Sequence, residues 1–380
     1  MFDMISGFGG SALGYILPFL FVLTIVVFFH ELGHFMVARW CGVKVDAFSI
    51  GFGPELFGWN DKHDTRWRVA AIPLGGYVRF HGDENAASAV DREAVADMPE
   101  EQRKVSFHYK PLWQRAAIVA AGPFANFILA IVIFAGTFAF VGQYITPARV
   151  DTVQEGSAAE RAGIVSGDTI VSIDGKKIES FNDLQRIVSA SAGIALEIVL
   201  ERGGDTVSVT AIPDLREVED RFGNKHNVGL LGVASKAEAD DVQLVTYSPP
   251  QAIWRGVKET WFVIERTLSF IGGVFSGRDD ASQLGGPIRI AQISGDVAQI
   301  GFAALVNLTA ILSVSIGLLN LFPVPMLDGG HLMFYAVEAV RGRPLSPRME
   351  DLSYRIGLAL VLMLMLFATW NDITNLNLLG

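Results

Sequence analysis

Residues 14–35 read GYILPFLFVLTIVVFFHELGHF, a run without a charged side chain that continues directly into two histidines and a glutamate. No Asp, Glu, Lys or Arg lies between Asp3 and Glu31, and the same holds between Arg115 and Arg149 and between Asp296 and Asp328. Each gap exceeds the roughly 20 residues that a helix needs to cross a bilayer core. A fourth apolar stretch, 356–370, is shorter and would need Leu352 and Tyr354 to complete a span. With 51% hydrophobic and 18% charged residues, the chain is too apolar for an ordinary soluble protein. No basic stretch precedes the first run and no small-residue cleavage site follows it, so it is expected to be a retained span rather than a signal peptide.

Basic residues set the expected orientation. Arg103, Lys104, Lys110 and Arg115 crowd the entrance to the second span, and Arg341, Arg343, Arg348 and Arg355 lie between the third and fourth. By the positive-inside rule both regions are cytoplasmic, which leaves the termini and the region from about residue 143 to 296 outside. The net charge of -10 hardly affects topology, and no basic tract points to nucleic acid. The single cysteine, Cys41, excludes an intrachain disulfide.

His30 and His34 are four residues apart, so on a helix their imidazoles share one face and can bind a single cation. Glu31 projects beside them, within reach of a water polarised by that cation. Zinc suits neutral imidazole ligands, and a catalytic site would need a third protein ligand and an open position. The competing reading is a hydrogen-bonded histidine pair in a helical bundle, with Glu31 paired to Arg39 or another base. Three ionisable groups in five residues at membrane depth are costly, and such groups mark function. The third span ends NLFPVPMLDGGH, residues 320–331. Pro323 and Pro325 break the helix, and Gly329 and Gly330 let the chain turn closely. Asp328 is either the third ligand or a loop acid at the cytoplasmic surface.

HELGH in a first span, paired with NxxPxPxLDGG closing a later one, resembles the site-2 protease family of intramembrane zinc metalloproteases. The likeness is to its bacterial PDZ-containing branch, typified by the regulator-of-sigma-E protease. The resemblance implies that His30, His34 and Asp328 bind Zn2+ and that Glu31 is the catalytic general base. It also implies that Asn320, with Pro323 and Pro325, holds the substrate as an extended strand. The implied substrates are single-span membrane proteins such as anti-sigma factors of a stress response, or remnant signal peptides. The implied location is the bacterial inner membrane. The strand-like segments 45–59 and 67–80 resemble the family's membrane-associated β-region, whose edge can pair with an unwound substrate; a small cytoplasmic sheet is the alternative. AAGPFANF in the second span places Gly122 and Asn126 one turn apart, matching the family's GPxxN pattern, and packing is the role expected there.

From Arg149 the composition becomes that of a soluble α+β domain. GSAAERAGI, SGDTIVSIDGKKI, a helical SFNDLQRIVSASAG and strands ALEIVLE and TVSVTAI follow in an order that resembles a permuted bacterial PDZ domain. Its expected ligand loop is Gly229, Leu230, Leu231 and Gly232, which would either capture peptide C-termini or belong to a domain acting as a steric filter. Trp254, Trp261, Phe262 and Leu268 recur at helical intervals, as in an amphipathic helix lying on the bilayer surface. His63, His81, His108, His226 and His331 lack partners at metal-ligand spacing and are expected to be solvated or structural.

The expected fold is therefore a polytopic α-helical membrane protein of about four transmembrane helices, with a membrane-associated β-region and one inserted extracytoplasmic α+β PDZ domain. Its segments are a first span (1–40), a cytoplasmic-side β-region (41–114), a second span (115–144), the PDZ domain (145–236) and an amphipathic linker helix (237–296). A third segment (297–330) and a cytoplasmic loop with a fourth span (331–380) complete it. Two rivals draw on the same residues. A membrane zinc-binding sensor or transporter would line a path with several metal sites and dispense with Glu31, and a PDZ scaffold would carry an inactive enzyme.

Overall fold

The computed structural model describes residues 12–82, 98–219, 225–235, 243–277 and 285–375, which form two compact units. The first unit opens with helix α1, Ala12–Trp40, whose 29 residues reach about 43 Å and are apolar as far as the histidines. Strands β1 (Val45–Asn60) and β2 (Arg66–Phe80) follow. Each is long enough to fold back on itself, so that Phe48 of β1 lies opposite both Val78 and Trp67 of β2. Gly51, at φ +88°, makes this possible, because an added Cβ would also meet the carbonyl oxygen of Ile72 at 2.7 Å. Phe48 and Trp67 stack with centroids 4.4 Å apart, and Phe35 of α1 meets both rings edge-on.

Asp61, at the tip between the strands, ties the sheet to the end of α1. It accepts hydrogen bonds from the His63 and Thr65 amides, Trp67 Nε1 and Arg39. Burial raises its pKa, but these donors outweigh that effect and hold the carboxyl down at about 2.

Helix α2, Leu112–Gly136, continues through a π-turn at Thr137–Val141. It crosses α1 at Gly33, where a Cβ would run into the Ala121 carbonyl oxygen and lie 2.7 Å from the Ala125 Cβ. Small residues at such a crossing let helix backbones approach where apolar lipid gives helices no other reason to associate.

The second unit takes in residues 136–252, with all of its strands, and the end of a later helix from residue 268. Strand β3 (Gln143–Ile145) pairs with β12 (Gln243–Val245), and β4 (Thr152–Val153) pairs with β11 (Val233–Ala234). The main sheet has the order β6 (Lys176–Lys177), β5 (Thr169–Ile173), β7 (Leu196–Arg202), β8 (Asp205–Ala211). β9 (Asp214–Glu219) pairs with β10 (Lys225–Leu230). Helix α3, Phe181–Ala190, starts in a capping box in which Ser180 and Asp183 satisfy each other's backbone amides. Ile170, Ile173, Leu184, Ile198 and Leu200 are fully buried in this unit's core. A one-turn helix covers Ala158–Arg161.

Residues 237–296 do not form one linker helix. The described part contains β12, helix α4 (Pro249–Phe275) and a separate helix α5 (Pro287–Ile300). Trp254, Trp261, Leu268 and Phe275 of α4, spaced by seven, are all exposed. In the first unit, α5 packs on α1, with Gly295 against the backbone of Gly14 and Tyr15. Gly301, at φ +143°, separates α5 from α6, so the third span begins at Phe302 and runs to Asn320. Asp328 opens a further helix, α7 (Asp328–Arg341), and α8 covers Pro347–Asn375. The fourth span is thus longer than its apolar stretch suggests. Near its end Asp372 accepts from the Gly286, Ile288 and Arg289 amides, capping α5 from another helix.

Among the described residues four helices, α1, α2 with its π-turn, α6 and α8, are long and apolar enough to cross a membrane. Their outward faces are apolar and exposed, as on α8 with Leu358, Leu362, Met363 and Leu366. The chain is a multi-pass membrane protein with a β-region beside its first span.

Candidate metal centre

His30 and His34 project from α1 toward α2 and the start of α7. Their Nε2 atoms lie 3.3 Å apart. Asp328 approaches from the other side, with Oδ2 3.1 Å from His30 Nε2 and Oδ1 3.6 Å from His34 Nε2. Three ligand atoms from the three residues fall within 4.8 Å of one another, the one such cluster among the described residues. The structure brings together the three residues expected as ligands across almost the whole length of the chain.

The hydrogen bonds around this cluster test whether a cation fits. His34 Nδ1 is 2.8 Å from the Ile118 carbonyl oxygen, which can only accept. The proton therefore sits on Nδ1, and Nε2 presents a lone pair to the centre. His30 Nδ1 is 3.3 Å from the Asn126 side-chain nitrogen, while Asn126 Oδ1 is buried without a partner. Exchanging oxygen and nitrogen of that amide gives the oxygen an N–H from Nδ1 and frees His30 Nε2 as a second lone pair. Asp328 Oδ2, buried and lacking a hydrogen-bond donor, supplies anionic charge to the same point. Two imidazole nitrogens, each with its outer Nδ1 accounted for, and a carboxylate match the donor set of zinc.

Two backbones press on the site. Gly122 of α2 faces the imidazoles so closely that a Cβ would collide with His34 Nε2 and lie 2.9 Å from His30 Cε1. Gly76 of β2 lies against Glu31, whose carboxylate accepts the backbone N–H of Val78. The sheet thus orients the acid while α2 orients the imidazoles. Asn126, expected to serve packing, reaches a ligand instead, and its backbone carbonyl accepts from the Ser313 hydroxyl of α6 at 2.9 Å.

Asn320 Nδ2 is 3.5 Å from His30 Nε2, at the end of α6. The 321–327 segment then folds under the α7 start. Gly329 abuts the Leu321 and Phe322 carbonyls, and Gly330 the Val324 carbonyl and Pro325. Met326 holds φ +85°, an uncommon value for a residue with a side chain. A cavity of about 1150 Å³ spreads from this point. Val27, Phe52, Leu74 and Met326 line its apolar part, and His108, Arg115, His331, Glu338 and Tyr354 its polar part. His331, expected to be solvated or structural, is therefore a wall of the site. His63 and His81 lie away from it, the latter 3.3 Å from Asp46; the side chain of His226 lies outside the described residues.

The expected ligand loop of the second unit has Gly229 packed beneath the Val188 carbonyl at the end of α3, and Gly232, at φ +81°, over Ser157. The Leu231 and Gly232 carbonyls accept from Ala159 and Gln154.

The model of Peptidase family M50 matches residues 18–364. A protein of Agrobacterium fabrum named "Putative zinc metalloprotease" is 50% identical, covering 97% of both chains. One of Rhizobium meliloti with the same description is 51% identical over 95% of this chain and 97% of its own. Metalloprotease MmpA of Caulobacter vibrioides is 43% identical over 93% of this chain and 94% of its own. With matches that run through both the HELGH helix and the LDGG turn, the chain belongs to peptidase family M50 and is a zinc metalloprotease.

Proposed function

We propose that this protein is an intramembrane endopeptidase that cuts the transmembrane segments of single-span membrane proteins. The observation that carries the reading is the approach of His30, His34 and Asp328 to one point, beside Glu31, within a set of membrane-length helices. Bound zinc would polarise the scissile carbonyl and lower the pKa of water. Glu31, held by the Val78 amide, accepts a proton from the attacking water and passes it to the leaving amide nitrogen as the C–N bond breaks. Asn126 and the Ile118 carbonyl hold the imidazoles in the tautomers a cation requires.

A transmembrane helix hides its carbonyls in its own hydrogen bonds, so the enzyme must offer replacements. Asn320 and the non-helical segment of Pro323 and Pro325 serve that purpose, and the β-region supplies an edge for an extended substrate. The distribution of Lys and Arg supports an inner-membrane protein with the metal centre toward the cytoplasm. The strand-rich second unit acts as an extracytoplasmic PDZ domain that selects or filters substrates, by C-terminal capture at Gly229–Gly232 or by size. Its order of helix and strands supports this assignment. The substrates are proteins already shortened by another protease, anti-sigma factors or remnant signal peptides among them.

Cleavage of a single-span substrate by wild type and Glu31→Gln, with bound zinc assayed in both, tests the reading. The expected result is retained zinc and lost cleavage. A Glu31→Gln protein that still cuts removes Glu31 from the role of base, whereas a wild type that holds zinc and cuts no short-tailed substrate favours the sensor or transporter.

A further inference from the structure

Among the described residues the fourth span contributes no metal ligand, yet one face of it, beginning at Glu350, is turned to the cavity. Tyr354, Gly357 and Val361 stand at i, i+3 and i+7 on α8, a single stripe. Tyr354 and Val361 line the cavity. Gly357 is buried, and a Cβ there would run into the Pro325 carbonyl oxygen, with the carbonyl carbon and the Pro325 Cβ each 2.7 Å away. The Tyr354 hydroxyl lies 3.5 Å from His331 Nδ1, and the Tyr354 ring meets Phe334 edge-on at 5.9 Å.

These contacts bracket Asp328. Pro325 precedes it by three residues and His331 follows it by three, one helical turn on. Asp328 is poorly held by its own segment. It is the first residue of α7, no side chain caps that helix, and Met326 two positions earlier is strained. A ligand at an uncapped helix start needs support from outside, and α8 gives it on both sides.

We propose that Tyr354 and Gly357 are positioning residues: through His331 and Pro325 they fix Asp328 and the Pro323–Pro325 segment relative to α1. The inference rests on Asp328 binding the metal as proposed above. It assigns the fourth span a function in the protease beyond anchoring.

The test uses the full chain in detergent with Gly357→Ala, Gly357→Val, Tyr354→Phe and, as a control on the exposed face, Leu362→Ala. Zinc affinity is read by chelator competition, melting is read without metal, and kcat and KM are read on one single-span substrate. Tyr354→Phe and Gly357→Ala should each weaken zinc binding by about tenfold and lower kcat more than KM, with Leu362→Ala at wild-type values. A merely structural contact would lower metal-free melting and leave the zinc affinity of the folded fraction unchanged. An unhindered helix position would be stabilised by alanine. Either outcome, or wild-type zinc affinity in both Tyr354→Phe and Gly357→Val, overturns the proposal. Asp328→Asn, run alongside, separates the two claims: if it keeps zinc, Asp328 is not a ligand and the underlying reading fails first.

Discussion

Gly122→Ala is the smallest perturbation that reaches the metal centre without touching a ligand. The added methyl would collide with His34 Nε2, the atom that faces the cation, and lie 2.5 Å from His34 Cε1 and 2.9 Å from His30 Cε1. With both Nε2 atoms committed to a cation, neither imidazole can retreat without straining its Nδ1 contact to the Ile118 carbonyl or to Asn126. Both rings must leave their preferred rotamers. At about 0.5–1.5 kcal/mol for each ring, the metal-bound form loses about 1–3 kcal/mol, or about 5- to 150-fold in zinc affinity.

The metal-free form should behave oppositely. With no cation to satisfy, the rings can turn aside, and alanine replaces glycine inside a helix with a gain of up to about 1 kcal/mol. The expected result is weaker zinc binding in chelator competition, together with unchanged or higher melting of the zinc-free protein. Wild-type zinc affinity with full peptidase activity would refute the claim that α2 holds the imidazoles by close backbone approach. A fall in zinc-free melting would show the methyl to be damaging the helix crossing instead.

Removing the outer partner of a ligand should act to a similar extent. Asn126→Ala takes away the acceptor for His30 Nδ1–H and should cost about 10- to 100-fold in zinc affinity, measured by the same competition. Gly76→Val presses on Ser49, Val27 and Glu31 but on no ligand, so it should abolish cleavage while the protein keeps its zinc, as metal analysis of the purified variant would show. Asp61 has a folded pKa of about 2, below its ordinary 3.8, so its contribution is complete above about pH 4 and lost as pH falls toward 2. Asp61→Asn should therefore melt below wild type at pH 7, and the two melting temperatures should converge at the acid end of a pH series.

The parts of this molecule that announce themselves in sequence are those with a period or a charge. Long uncharged runs give the spans, because a bilayer tolerates nothing else there. The spacing of His30 and His34 gives a shared helix face, and Asp328 stands out as the first acid after α6. The start of α6 at Gly301 was hidden, since a helix stop made by one glycine has no apolar signature. The end of the fourth span was equally obscure. Asp372, a buried acid that caps α5 from α8, looks in sequence like the end of a membrane segment.

The supporting contacts at the metal centre were the least legible, for a physical reason. Gly33, Gly76, Gly122 and Gly357 act by what they lack, allowing a backbone to come close to a ligand, an acid or a loop carbonyl. The Val78 amide and the Ile118 carbonyl act through atoms that every residue has. A sequence can display which side chains could bind a cation, but the tautomers and angles at which they bind are set here by main-chain atoms together with the Asn126 amide. These become specific only when α1, α2, β2 and α8 are packed together. The effects of substitutions around this centre should therefore follow distance to the imidazoles and Asp328 rather than the chemical character of the residue replaced.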